Sequence, residues 1–139
     1  MSAAVIKQQL LNSLNAMGSL KAAFNFESTN PSGKYPYATL TLNRGDGEFA
    51  STVHNLRRHN FWIRVYQEQS KEGQGLSQAE NIAIDVLDEL NAHLDLNTTL
   101  SGACKYAQPT SYTADFMNRE LDMRILEVNV EAADLVTAG

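Results

Sequence analysis

Few residues in this chain have both the type and the spacing that chemistry requires. Gly75-Leu76-Ser77-Gln78-Ala79 has the outline of a nucleophile elbow with its last glycine replaced. An elbow holds its serine on a tight turn directly after a strand, whereas a polar, glycine-containing stretch precedes Ser77. Ser77-Gln78-Ala79-Glu80 also matches a helix capping box, in which hydroxyl and carboxylate each satisfy a free amide at the helix start. The serine is therefore read as a cap. His54 and His59 stand on opposite faces of either a strand or a helix, and no second histidine or carboxylate sits at i+4 after any histidine in the manner of a metalloprotease helix, so no metal pair is assigned. Asp85, Asp88 and Glu89 fall on the outer side of an amphipathic helix, where solvated charge is expected. Gly73-Gln74-Gly75 lacks the Lys-Ser/Thr pair of a phosphate loop, and Gly45-Asp46-Gly47 lacks the acid spacing of a calcium loop. Asn97-Thr98-Thr99 fits a glycosylation sequon, but no secretory signal accompanies it. No catalytic, cofactor-binding or metal-ligating residue is assigned, and no enzymatic activity is expected.

What remains is contact chemistry. Arg57, Arg58 and Arg64 form a local positive cluster beside Trp62 and Tyr66. Basic residues next to aromatics suit either phosphate backbones or protein interfaces, where Arg, Trp and Tyr are the enriched anchors. The chain carries 11 Lys and Arg against 16 Asp and Glu, a net charge of −5. That balance opposes a nucleic-acid footprint, so the cluster is read as a protein contact. Ile84 lies off the apolar stripe of its helix. It either widens the core face or meets another subunit, with the core preferred. It joins the contact residues only in the second case.

The elements that must position these residues belong to one domain spanning 1–139. Hydrophobic residues at 43% supply a core. A lone cysteine, Cys104, excludes an internal disulfide and is read as a small buried hydrophobe. No apolar run approaches the roughly 20 residues of a membrane helix, and the expectation is a soluble protein of a reducing compartment. Val5, Ile6, Leu10, Leu14 and Met17 predict a helix over Ala3–Met17, stopped by Gly18. Asn25–Lys34 reads as a loop. A strand follows from Tyr35, with Ala38, Leu40 and Leu42 alternating against Tyr37, Thr39 and Thr41. Arg44–Gly47 reads as a turn, Ala50–Val53 as a short strand, and Phe61–Tyr66 as the clearest strand. Gln67–Gly75 reads as a loop. Ala79, Ile82, Ala83, Val86, Leu87, Leu90 and Leu94 predict a helix over Ser77–Leu94. Asn97–Gly102 reads as a turn, Ala103–Ala107 as a short strand ended by Pro109, and Met123–Val130 as the last strand, with Tyr112–Glu120 left ambiguous. The class is α+β, a mainly antiparallel sheet with helices packed on one face.

This order, with Tyr35-Pro36-Tyr37-Ala38, the run Asn55–Tyr66, the helix Gln78–Leu94 and the strand Arg124–Val130, resembles the tail terminator (tail completion) proteins of long-tailed bacteriophages. The resemblance covers about Tyr35 to Val130. It implies an α+β monomer that assembles with itself as a hexameric ring at the head-proximal end of the tail in the virion, after synthesis in the host cytoplasm. It implies as partners the tail-tube protein, whose polymerisation the ring ends, and the head-completion or connector protein that joins it. The family has no catalytic residues to carry over, no cofactor, and no membrane or sequence-specific nucleic-acid partner. A head–tail joining protein, a tail-tube subunit or a non-viral interaction domain are the alternatives.

Overall fold

The computed structural model describes residues 3–24, 36–49, 54–68, 73–118 and 123–137. In chain order they form α1 (Ala3–Ala16), β1 (Ala22–Phe24), β2 (Tyr37–Phe49), β3 (His54–Glu68), α2 (Gly73–Leu96), β4 (Tyr106–Asn118) and β5 (Met123–Thr137). The strands make one sheet in the order β1-β2-β3-β5-β4. Short β1 runs parallel to β2 and every other pairing is antiparallel. The class is α+β, as the periodicities predict.

Alternation along the inner strands gives the sheet a buried apolar side. Leu40 of β2, Phe61, Ile63 and Val65 of β3, and Leu126, Val128 and Val130 of β5 enter one core. Ile6, Leu10 and Leu14 of α1 cover it beside β1 and β2, while Val86, Leu90 and Leu94 of α2 cover it beside β3, β4 and β5. Side chains one helical turn apart form each covering stripe. Two expected core residues fall outside it. Val5 and Ile84 are both about half exposed, Ile84 at 47%. Leu42 is likewise exposed, because the helices do not reach that far along β2.

Several local readings are corrected. Arg44–Gly47 is no turn but part of β2, paired with Asn60–Arg57. Its glycine serves close approach, since a β-carbon at Gly45 would lie 2.9 Å from the Arg58 carbonyl oxygen. Pairing also skips Asn43, a β-bulge between Leu42 and Arg44. β4 runs straight through Pro109, which an edge strand tolerates because the missing amide costs no ladder bond. It thereby absorbs the ambiguous stretch from Tyr112, and its first residue is Tyr106 rather than Ala103. β5 continues past Val130 to Thr137. α2 starts at Gly73, so Ser77 stands inside the helix and not at its cap. Leu76 keeps helical spacing with Ala79 and Ala83, which lets the helix begin earlier. Of the loop expected at Gln67–Gly75, the first two residues belong to β3 and the last three to α2, and the rest lie outside the described residues. The loop expected at Asn25–Lys34 and the strand expected at Ala50–Val53 lie outside the described residues.

Gly18 does not end α1 in the left-handed conformation; that geometry belongs to the turn after α2. Leu100 (φ 49°), Ser101 (φ 60°) and Gly102 (φ 88°) take it in succession. A left-handed residue with a side chain costs roughly 1–2 kcal/mol. Full burial of Leu100 offsets that cost, as do bonds from the Ser101 amide to Asn97 Oδ1 (2.9 Å) and from the Gly102 amide to the Thr99 carbonyl (3.0 Å). The same turn buries Cys104. Burial pushes its thiol up from 9.0 to about 11, and the nearby charge of Asp134 adds to the shift.

Two outcomes are expected. Val86 is 1% exposed, so Val86→Asp places an unpaired carboxylate in the core at a cost of several kcal/mol. Thermal denaturation should show that variant unfolded, and Asp85→Ala within about 0.5 kcal/mol of the parent chain. The second concerns pH. The unfolded thiol ionises first, so Cys104 contributes full stability below about pH 9 and loses it as pH rises toward about 11. Denaturant titrations across that window should slope less steeply for Cys104→Ala; an unchanged slope would show the thiol to be uninvolved.

Candidate functional site

Residues paired across neighbouring strands point to the same side of a sheet. Arg58, Asn60, Trp62, Arg64 and Tyr66 of β3 therefore face away from the helices, opposite Ala133, Glu131, Asn129, Glu127 and Ile125 of β5. Polar and aromatic chemistry forms successive rows there. At one end the Tyr106 hydroxyl donates to Glu131 Oε2 at 3.1 Å. Burial and then Glu131 raise the hydroxyl's pKa, and Arg58 opposes the rise by hydrogen bond and charge. In the next row Asn129 Nδ2 donates to Asn60 Oδ1 (2.9 Å) and to Thr110 Oγ1 (2.7 Å). The Thr110 hydroxyl in turn donates to the Asn129 carbonyl at 3.3 Å. Asn60 is only 8% exposed, and the bond from Asn129 gives its buried amide oxygen a donor. In the third row Arg64 Nε donates to Glu127 Oε2 at 2.9 Å, and the guanidinium carbon sits 4.4 Å from the centre of the Trp62 ring. Last, Tyr66 stacks on Tyr37 with ring centres 4.8 Å apart, and Phe24 meets Tyr37 edge-on.

The middle rows floor a groove of about 270 Å³ that crosses β2, β3, β5 and β4. Asn43 and Arg44 line it on the β2 side, Trp62 and Glu127 in the middle, and Ser111 and Tyr112 on the β4 side. Its lining is mostly amide, hydroxyl and paired charge, which favours recognition over reaction. Among the described residues no group of three His, Cys, Asp or Glu side chains converges to hold a metal ion, and no helix is long and apolar enough to cross a membrane.

The expected contact residues are not one cluster. Strand geometry sends adjacent Arg57 and Arg58 to opposite faces. Arg57 is exposed on the helix side beyond the end of the core, paired in register with Asp134. Arg58, Trp62 and Arg64 share the open face. Tyr66 does too, but at 4% exposure and under Tyr37 it is a packing residue of the single chain and not an open contact. Ile84 lies on α2, in the other layer, and its exposure overturns the preferred core reading. Sequence reasoning missed Arg44, Asn60, Glu127 and Asn129. The alternation of Glu127, Asn129 and Glu131 along β5 is the signal that could have found the last two.

The Arg64–Glu127 pair is partly exposed on both sides, which limits its worth to about 0.5–1 kcal/mol after solvent screening. A double-mutant cycle with Arg64→Met and Glu127→Gln should return a coupling of that size. It should shrink at molar salt; a coupling that ignored salt would mean packing on Trp62 dominates.

No family model matches the chain, and no curated protein does. Among solved structures, a chain from the virion of the native gene transfer agent (GTA) particle is similar over 99% of this chain and 100% of its own length. The TM-score is 0.60 and the sequence identity 19%. The likeness at that identity is one of fold, and it takes in both helices and all five strands.

Proposed function

We propose that this chain is a structural protein of a phage-like virion, and within that class a tail terminator. The observation that carries the reading is the fold likeness to a virion chain over the full length of both molecules. The order of elements, which resembles tail terminators, supports the finer assignment. In this reading copies of the chain form a ring, a hexamer as the resemblance implies, at the head-proximal end of the tail. The ring binds the last layer of tail-tube protein, ends its growth and offers a surface to the head-completion or connector protein. The work is done by contact and not by catalysis, which suits a polar sheet face on which Arg64 is paired with Glu127. A tail-tube subunit would stack into open tubes, whereas a terminator stops at one ring.

The test uses particles whose gene for this chain has been deleted. Their tails should be of uncontrolled length or fail to join heads, and adding the purified protein to the defective extract should restore normal tails and infectious or transducing titre. Normal tails with heads attached in the absence of the protein would remove the terminator reading. Open-ended tubes grown from the purified protein alone would assign it to the tube instead.

A further inference from the structure

The outer side of α2 carries an unusual surface. Ile84, Asp88, Ala92 and Leu96 are all exposed and stand four residues apart, so they form one ridge along the helix. Ile84 is 47% exposed and Leu96 90%, large apolar side chains left in water at the two ends of the ridge. Asp85 and Asp95 flank it, also exposed, so the ridge is acidic and apolar together. On the opposite side of the molecule the groove offers the reverse chemistry. Arg44 is exposed at its β2 end with no ion-pair partner among the described residues, Trp62 lies half-buried in its floor, and Ser111 and Thr113 are exposed at its β4 end.

We propose that the α2 ridge of one copy of this chain docks into the open-face groove of the next. Asp88 then meets Arg44, Ala92 passes over Trp62, and Leu96 reaches Ser111 and Thr113 at the far end. The dimensions agree. From Ile84 to Leu96 the ridge is about 18 Å at about 1.5 Å per residue. Four strands at a spacing of about 4.8 Å span about 14 Å. The charges agree as well, because Arg64 already neutralises Glu127 and leaves Arg44 as the groove's free cation among the described residues. The two surfaces belong to opposite layers of one subunit, so each copy engages one neighbour by its ridge and another by its groove. Such a contact is head-to-tail, the kind that generates rings when the rotation closes. This interface rests on the ring reading above and supplies the contact that reading needs.

The test exchanges the charges. Asp88→Arg and Arg44→Glu are both exposed substitutions, and circular dichroism should show each variant folded. Each alone should lose the assembly that the wild-type chain shows by mass photometry. Mixed in equal amounts they should recover it, because every ridge–groove contact in an alternating ring is then Arg against Glu or Asp against Arg. Variants that assemble as well as wild type, or that fail alone and stay apart when mixed, would overturn this interface and leave the ring. A wild-type chain that stays monomeric even with tail-tube ends present would overturn both. Should a reversal unfold the chain, Leu96→Cys in one copy and Thr113→Cys in another decide by oxidation. A cross-link between the two variants, with none within either alone, is expected, and its absence overturns the docking.

Discussion

The pairing of β3 with β5 is the constraint on which the rest of the molecule depends. It runs without a register shift from His54↔Thr137 to Glu68↔Met123, at the centre of the sheet. A slip of one residue would turn Phe61, Ile63 and Val65, or Leu126, Val128 and Val130, away from the helices. It would also drive Arg64 or Glu127 into the core, where a lone charge is costly. The same register that builds the hydrophobic layer therefore builds the rows of the open face. Core and contact surface are two readings of one ladder, and neither can be altered independently.

Much of that ladder is legible in the amino-acid sequence, since Phe61–Tyr66 and Leu126–Val130 alternate cleanly and both helices show apolar stripes. What misleads is residue chemistry with two structural uses. Glycine marks turns, yet at Gly45 it lets one strand approach another. Proline breaks ladders, yet Pro109 sits on an edge strand paired with β5 alone, and the pairing absorbs it with a bulge at Thr110. The site was less legible than the fold because its partners are remote in sequence. Tyr66 looks like an interface aromatic until Tyr37 covers it, and Arg64 looks like a free cation until Glu127 meets it. Adjacency misled in the other direction, since Arg57 and Arg58 are neighbours in the chain and opposites in the sheet.

The two layers of the subunit also differ in kind. The open face is a network in which amides, a tyrosine hydroxyl and carboxylates satisfy one another, and such a network holds its side chains in place before any partner arrives. Among the described residues the outer face of α2 shows little such order, with a long His93–Glu89 contact of 3.9 Å. A preformed surface loses little conformational freedom on association, so the sheet side is suited to be the receptor and the helix side the ligand.

The position of β5 has a consequence for how the chain is made. It is the last strand in chain order and yet lies between β3 and β4 in space. Until it leaves the ribosome, β3 has β2 on one side and nothing on the other, and β4 has no neighbour at all. Translation at about 5–20 residues per second leaves these edges open for seconds, and an open edge is a template for pairing with a foreign chain. Copies made side by side on one message are therefore at risk of exchanging their final strand. Pro109 of β4 works against such exchange, since it offers no amide to a foreign strand.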